Sequence, residues 1–248
     1  MKPIARIAPA VLVLAAACAQ TDTPIAPDAI DAFASHTTDG PPMWEVRITN
    51  LTGGQPLTPP IIATHRGTRL MFDVGRPATF EIQEIAENGN LAPMMAVLGG
   101  EKGVAEWTVV FGGSAPPVMA GEEVVTMIGS VPGARWLSMA AMLICTNDGF
   151  TGVDAVALPG PGQSITVYSD GYDAGTEINT EDFADLVPPC PPLTGVPSTD
   201  ASTGVSNPVL AENGVIHHHP GVQGGDDLDP SIHGWSNPVA KVVITRVN

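Results

Sequence analysis

Acidic residues gather around glycines between residues 146 and 183, where Asp148, Asp173 and Glu177 offer carboxylate oxygens. Asp148 precedes a glycine, and Asp173 and Glu177 lie four residues apart with Gly175 between them. Loop carboxylates are typical Ca²⁺ ligands, and both groups flank predicted strands, so they are expected to meet at one end of a β-sandwich. A calcium site is one interpretation and a solvated acidic face is the other. An EF-hand is excluded, because its loop positions are wrongly filled.

Histidines form a second group that could bind a metal. His217 and His219 are expected on one side of a strand with His218 opposite, and His65 or His233 would join them if the fold brings their loops together. Imidazoles suit zinc or copper, so a transition-metal site is one interpretation. The alternative is an exposed loop whose histidines bind metals only adventitiously.

The chain begins with a segment typical of export. Residues 1–17 combine a positive start, an apolar stretch and small residues, and they resemble a lipoprotein signal peptide with Cys18 as the lipidated residue. Cleavage without lipidation is the alternative. Cys145 and Cys190 then remain as a candidate disulfide for an oxidising compartment, or else as a buried thiol and a loop thiol. The expected location is the bacterial outer membrane or cell surface, otherwise secreted or periplasmic.

Charge and motifs narrow the classes of function. The 26 acidic and 10 basic residues give a net charge of -16, which argues against nucleic acid as a partner and against membrane contact other than through the N-terminal lipid. The G-x-S-x-G, H-E-x-x-H and P-loop motifs are absent. The sequence therefore predicts a protein that is not an enzyme. An unrecognised hydrolase is the third candidate function, after the two metal-binding candidates given below.

The composition and pattern predict an all-β fold, an antiparallel β-sandwich of about eight strands. Short apolar or alternating segments are separated by many of the 27 glycines and 25 prolines. The predicted strands are MWEVRITN (43–50), IIATH (61–65, as an edge segment), RLMFDV (69–74), AEWTVVF (105–111), EEVVTMIG (122–129), RWLSMAAMLICT (135–146), SITVYS (164–169) and PVAKVVITRV (238–247).

Other segments complete the predicted domain plan. A helix is expected over residues 77–88, and LAPMMAVL after it is expected to form a second short helical turn. Residues 18–42 are a flexible tether, rich in Pro, Asp, Thr and Ala. The sandwich domain spans residues 43–248 and carries a long Pro- and Gly-rich insertion between Pro188 and about Gly225.

Six segments resemble the spondin domain, the module of F-spondin that also occurs in bacterial exported proteins. They are WEVRITNLTGGQPLTPPIIATH, AENGNLAPM, LSMAAMLICTNDGFTGVDAVALP, YDAGTEINTED, GVIHHHPG and GWSNPVAKVVITR, in the family's order across residues 43–247. The resemblance implies an eight-stranded antiparallel sandwich similar to calcium- and lipid-binding domains. It also implies a Ca²⁺ ion held by Asp148 in NDGFTGVD and by Asp173 and Glu177 in YDAGTE, where Glu177 replaces the family's aspartate.

The resemblance implies a function outside the cell. The expected protein binds calcium structurally and presents loops to an extracellular protein or glycan, as in adhesion. A copper- or zinc-binding protein built on His217, His219 and His65 is the second candidate.

Overall fold

The computed structural model describes residues 40–67, 71–112, 116–200 and 202–248. The described residues from 40 to 248 belong to one compact unit. The predicted signal peptide, the lipidation site Cys18 and the tether up to residue 39 lie outside the described residues. Within the described ranges, every helix is too short or too polar to span a membrane.

The described chain contains ten strands in two antiparallel sheets, which confirms the predicted all-β sandwich. The first sheet has the order β4 (Glu123–Gly129), β1 (Met43–Asn50), β10 (Ala240–Arg246), β7 (Ser164–Ser169). The second has the order β3 (Val104–Val109), β2 (Ile61–His65), β5 (Trp136–Met142), β6 (Gly149–Ala157), β8 (Gly171–Asp173), β9 (His217–His218).

One core lies between the two sheets. Trp44, Val46 and Ile48 alternate along β1 and are all buried, as the alternating sequence predicts for a strand with one face inside. They meet apolar residues of the second sheet, such as Leu137 and Met139 of β5. Full burial of one such side chain contributes about 1.5–3 kcal/mol, so this alternation fixes the register of β1.

A second core covers the outer face of the six-stranded sheet. Two helices pack there, α1 (Phe80–Asn88) and α2 (Ala92–Gly100), with Ile82 and Ile85 of α1 fully buried. Strand β2 contributes to both cores and lies between β3 and β5. The prediction that residues 61–65 form an edge segment is therefore wrong, because both faces and both edges of β2 are covered.

Helix α1 begins and ends where local chemistry dictates. The Thr79 hydroxyl accepts a hydrogen bond from the Ile82 N–H at 3.4 Å, and Gly89 closes the helix in the left-handed conformation with φ of 63°. The helix predicted over residues 77–88 therefore begins three residues later than expected. The predicted short turn after it is the nine-residue helix α2.

The predicted strand of residues 69–74 is wrong in its described part, residues 71–74, which form no strand. Met71 and Phe72 are buried in the outer core instead. The Met71 N–H donates to Asp154 Oδ1 at 2.7 Å, and Phe72 packs edge-on against Phe150 with ring centroids 5.1 Å apart. Apolar side chains here close the end of a core and do not mark a strand.

The predicted insertion after Pro188 contains two short elements, helix α3 (Cys190–Thr194) and strand β9, and is followed by helix α4 (Pro230–His233). In the structure the Cys145 and Cys190 sulfurs are bonded, 2.08 Å apart, and both residues are fully buried. Cys145 follows β5 and Cys190 begins α3, so the bond attaches the insertion to the sandwich beside Asp148.

Replacing Cys190 with serine is expected to lower the free energy of unfolding by about 4 kcal/mol, because the disulfide closes a loop of 45 residues and restricts the unfolded chain. Urea unfolding of wild-type protein and of Cys190→Ser measures the loss. Cys18→Ser is the control and should leave stability unchanged. Two reactive thiols in unreduced, denatured Cys18→Ser protein would contradict the disulfide.

Candidate functional site

The turn between β5 and β6 carries Asp148 into the interior. The Thr146 hydroxyl donates to the Leu143 carbonyl at 2.6 Å and accepts from the Gly149 N–H at 2.9 Å, which closes the turn. A Cβ on Gly149 would lie 2.4 Å from that hydroxyl, so the turn requires glycine there. The result is that Asp148 has no exposed surface.

The two oxygens of the Asp148 carboxylate have different surroundings. Oδ2 accepts hydrogen bonds from the Thr176 N–H at 2.7 Å, the Glu177 N–H at 3.0 Å and the Thr176 hydroxyl at 3.2 Å. Oδ1 is buried without a hydrogen-bond partner among the described residues. Burial, followed by the nearby charge of Asp173, raises the pKa of the Asp148 carboxyl to about 7.

Asp173 lies beside Asp148 because its strand pairs with the start of β6, where Gly149 is opposite Asp173. It is 1% exposed. Its Oδ1 accepts from the Gly175 N–H at 2.8 Å and its Oδ2 from the Asn179 side chain at 2.7 Å. The structure thus places two predicted calcium ligands in one buried region.

Gly175 fixes the loop that follows Asp173. It has φ of 68°, and a Cβ there would lie 2.7 Å from the Val215 backbone nitrogen. The close approach lets this loop pair with the insertion, where the Gly214 N–H donates to the Gly175 carbonyl at 2.9 Å. The glycine noted in the sequence is therefore a requirement of the backbone.

Glu177 is joined to Asp148 through its backbone, while its side chain engages other groups. The residue is 3% exposed, and its Oε1 accepts from the Asn207 N–H at 2.6 Å. Burial raises the pKa of Glu177 to about 7; the charges of Glu87, Asp148 and Asp185 add to the rise, and the Asn207 N–H opposes it. Its carboxylate therefore lies between Asp148 and a second acidic group.

That second group was not predicted from the sequence. Glu87 and Asn88 end α1, and the buried Glu87 Oε2 and Asn88 Oδ1 lack hydrogen-bond partners among the described residues. The Asn88 side-chain amide reaches the Ser206 hydroxyl at 3.0 Å, next to Asn207. The stretch AENGN carries these residues, but only the tertiary fold brings them to Glu177.

Among the described residues, two groups bring three acid, histidine or cysteine donor atoms within 4.8 Å of one another. They are Cys145, Cys190 and His233, and Asp182, Asp200 and Asp227. The first contains the disulfide and the second is largely exposed, and neither includes a predicted ligand of the calcium site. A Ca²⁺ ion at Asp148 and Asp173 would therefore complete its shell with backbone carbonyls, amide oxygens or water, as Ca²⁺ commonly does.

The predicted histidine cluster forms only in part. His217 and His219 lie at β9, close enough to Asp173 for its charge to act on His219. His65 lies in β2, with β5, β6 and β8 between it and β9, a separation of about 19 Å at the usual strand spacing. The combination of His217, His219 and His65 therefore does not form, because strand order separates them.

His233 does not join β9 either. It is fully buried beside α3, where its Nε2 lies 3.1 Å from the Thr194 hydroxyl. Its Nδ1 accepts from the Asp229 N–H at 3.0 Å. Nε2 thus links α4 to α3, while Nδ1 contacts the N-cap of α4 itself.

Hydrogen bonding decides whether His217 and His219 can ligate a metal. Burial lowers the pKa of His219 to about 4, so its ring is neutral at pH 7. Its Nδ1 accepts from the Gly221 N–H at 3.0 Å, so the proton lies on the buried, unpartnered Nε2, which then cannot ligate a metal. The exposed His217 instead donates from Nδ1 to the Val215 carbonyl at 3.0 Å, which leaves Nε2 free to ligate.

A Ser, His and Asp group does occur, but with the wrong geometry for a catalytic triad. His65 Nε2 lies 2.8 Å from the Ser138 hydroxyl, and Ser138 donates to Asp154 Oδ1 at 3.0 Å. His65 Nδ1 accepts from the Gly67 N–H, so Nε2 carries the proton and cannot act as the base. Ser138 is 1% exposed, which also closes it to substrate.

Neither the protein-family models nor the curated proteins compared with this chain give a match. The spondin resemblance therefore rests on the six segments quoted above and stays a prediction.

Metal-free protein is expected to lose stability as the pH rises toward about 7. The folded pKa values of Asp148 and Glu177 are raised above their unfolded values of 3.8 and 4.5, so their favourable contribution is complete in acid and disappears as they ionise. Asp148→Asn removes one of these groups, so its melting temperature should rise relative to wild type as the pH increases.

Thermal melting in a chelator between about pH 5 and about pH 8 measures that difference. Comparing variant with wild type cancels the buried histidines His65, His219 and His233, whose lowered pKa values act in the opposite direction. Glu212→Gln, at an exposed acid near the same loop, should follow wild type at every pH. A constant difference for Asp148→Asn would contradict the raised pKa.

Proposed function

We propose that this protein is an exported, non-enzymatic β-sandwich of the spondin type that binds Ca²⁺ structurally through Asp148 and Asp173. The single observation that carries the proposal is the buried Asp148 Oδ1, which has no hydrogen-bond partner among the described residues and lies beside a second buried carboxylate. Two adjacent carboxylates in a region of low dielectric repel each other, and a divalent cation removes that repulsion.

The donor chemistry favours calcium over copper or zinc. The atoms available around Asp148 are carboxylate, amide and carbonyl oxygens, which hard cations prefer. His219 is held in the tautomer that cannot ligate through Nε2, and three strands separate the strand of His65 from β9. A transition-metal site would retain only His217 from the predicted set.

Calcium at this position would fix the loops that leave the sandwich. Asp148 already accepts from the backbone at residues 176 and 177, and this loop pairs with the insertion through the Ile178 N–H and the Leu210 carbonyl at 2.9 Å. We infer that these ordered loops are presented to an extracellular protein or glycan. The Cys145–Cys190 bond supports export, because disulfides persist in oxidising compartments.

The N-terminus would supply the location. In this proposal Cys18 is lipidated and holds the sandwich at the bacterial outer membrane or cell surface, with secretion or release into the periplasm if cleavage occurs without lipidation. The net charge of -16 keeps the sandwich itself away from anionic lipid headgroups.

Calcium is expected to raise the melting temperature of the wild-type protein by several degrees relative to a chelator. Free calcium at about a hundred times its dissociation constant stabilises a protein by about 2.7 kcal/mol. Asp148→Asn and Asp173→Asn should abolish the rise. Glu177→Gln should keep part of it, because the Glu177 carboxylate is engaged by Asn207.

The same variants distinguish a calcium site from a solvated acidic face. Asp148→Asn should melt higher than wild type in chelator at neutral pH and lower in calcium, and this reversal is specific to a carboxylate that a cation stabilises. Glu212→Gln should respond to calcium as wild type does. An unchanged wild-type melting temperature in millimolar calcium would refute the site.

A further inference from the structure

A cavity of about 490 Å³ opens at one end of the sandwich, between the two sheets. Trp44 of β1 and Arg246 of β10 line it from the first sheet, and Trp136 of β5 lines it from the second. The loop around Ser130 and Arg135 closes its side. Its volume is in the range of small-molecule sites, about 300–1,000 Å³.

This cavity, named the Trp44–Trp136 pocket, is distant from the acidic loops. Strand β5 runs from Trp136 at the pocket to Met142, and the chain reaches Asp148 six residues later. Seven residues of extended strand span about 20 Å, so the pocket and the proposed calcium site lie toward opposite ends of the β5–β6 hairpin. The pocket therefore shares no lining residue with the proposed calcium site.

The charge of the pocket is opposite to that of the chain. None of its thirteen lining residues is acidic, although acidic residues outnumber basic ones 26 to 10 in the sequence. Arg135 and Arg246 line the pocket, and Arg66 lies against Gly133 in the adjacent loop. In a chain with this much negative charge, neighbouring arginines indicate either a structural ion pair or a binding site for an anion.

Side-chain ion pairs do not account for Arg135 and Arg246. Across the described residues, Arg47 pairs with Glu45 at 2.8 Å and Glu123 at 3.0 Å, whereas no Asp or Glu side chain lies within 4.0 Å of either pocket arginine. Arg246 instead stacks over the Trp44 ring at 4.6 Å from its centroid and donates from Nε to the Asn248 carbonyl. The Nη atoms of both guanidinium groups have no hydrogen-bond partner in the part of the chain that the structure describes, so they stay available to a ligand.

The walls of the pocket are fixed before any ligand binds. Trp44 Nε1 donates to the Pro159 carbonyl at 3.0 Å, and the Ser130 hydroxyl donates to the Ala134 carbonyl at 2.7 Å. The Leu158 N–H donates to the Arg135 carbonyl at 2.8 Å, which joins the two loops at the rim. A preformed site spends little binding energy on ordering its own loops.

The aromatic rings define the rest of the ligand. Trp136 is 37% exposed at the pocket, and Trp44 forms a buried wall stacked against Arg246. A flat ring with an apolar face can stack on Trp136 while a carboxylate or sulfate accepts paired N–H groups from an arginine. We propose that the Trp44–Trp136 pocket binds an organic anion of this kind, one acidic group attached to a flat or apolar-faced ring.

Binding is tested by titrating the wild-type protein with two probes, 2-naphthoate and methyl glucuronide, which present the acid on an aromatic ring and on a sugar ring. Tryptophan fluorescence and calorimetry report the affinity, and the probe that binds identifies the source of the ring. The neutral analogues, 2-naphthylmethanol and methyl glucoside, should bind with an affinity that is lower by about tenfold or more, because they lose a charge-assisted hydrogen bond.

Arg135→Gln and Trp136→Ala should each weaken binding about tenfold or more, and both positions are exposed, so the fold should persist. Arg76→Gln is the matched control, an exposed arginine beside Asp73 and outside the pocket lining, and it should bind as wild type does. Wild-type protein should bind the probe equally well in calcium and in chelator, which separates this site from the calcium site. The proposal would be overturned if neither probe saturates the protein, if the neutral analogues bind as tightly as the acids, or if Arg135→Gln leaves binding unchanged.

Discussion

The acidic end of the sandwich depends on the burial of Asp148. The turn closed by Thr146 leaves this carboxylate no route to solvent, so its charge must be compensated inside the protein. One oxygen is compensated by the N–H groups of Thr176 and Glu177, which places the loop after β8 against the turn before β6. The other oxygen has no such donor among the described residues, and a cation there would supply the missing compensation.

Two layers of packing hold this end in place. The six-stranded sheet is buried between the inter-sheet core and the outer core, so β5 and β6 have little freedom to shift. The disulfide then attaches α3 to the end of β5, and the insertion pairs with the loop that carries Gly175. Functional loops on so rigid a support keep their geometry without a large ordering cost on binding.

Local patterns predicted the fold where one face of an element decides its structure. Alternation along β1 and the helical spacing of Ile82 and Ile85 each reflect a single buried face. Strand β6 was missed as a separate strand, since GFTGVDAVA is buried at its start and half-exposed at its end and does not alternate. Strand β8 is three residues long and exists only through pairing with distant segments, which no local pattern records, whereas the strand expected around His217 is present as the two-residue β9.

The candidate sites also divide into features that local sequence indicates and features that only tertiary contacts create. Asp148 and Asp173 were identified from loop carboxylates beside glycines and again from the resemblance, and the register of β6 with β8 brings them together. Glu177 Oε1 accepts from the N–H of Asn207, thirty residues later, and nothing in YDAGTE indicates this contact. His65 seemed available to the β9 histidines because sequence carries no information about the order of strands in a sheet.

The distribution of charge along the β5–β6 hairpin links the two ends of the molecule. Buried carboxylates collect where β5 ends, and two arginines that have no Asp or Glu partner among the described residues lie where it begins. A net charge of -16 repels anions over most of the surface. An anion is therefore attracted to the pocket only if the arginines act at short range, where no acidic residue lines the pocket. Two guanidinium groups beside exposed and buried indole rings meet that condition, since an apolar surrounding strengthens each charged hydrogen bond and water screens the distant acids. The hairpin therefore joins an end whose carboxylates favour cations to an end whose arginines favour anions. The length of its strands separates the two ends.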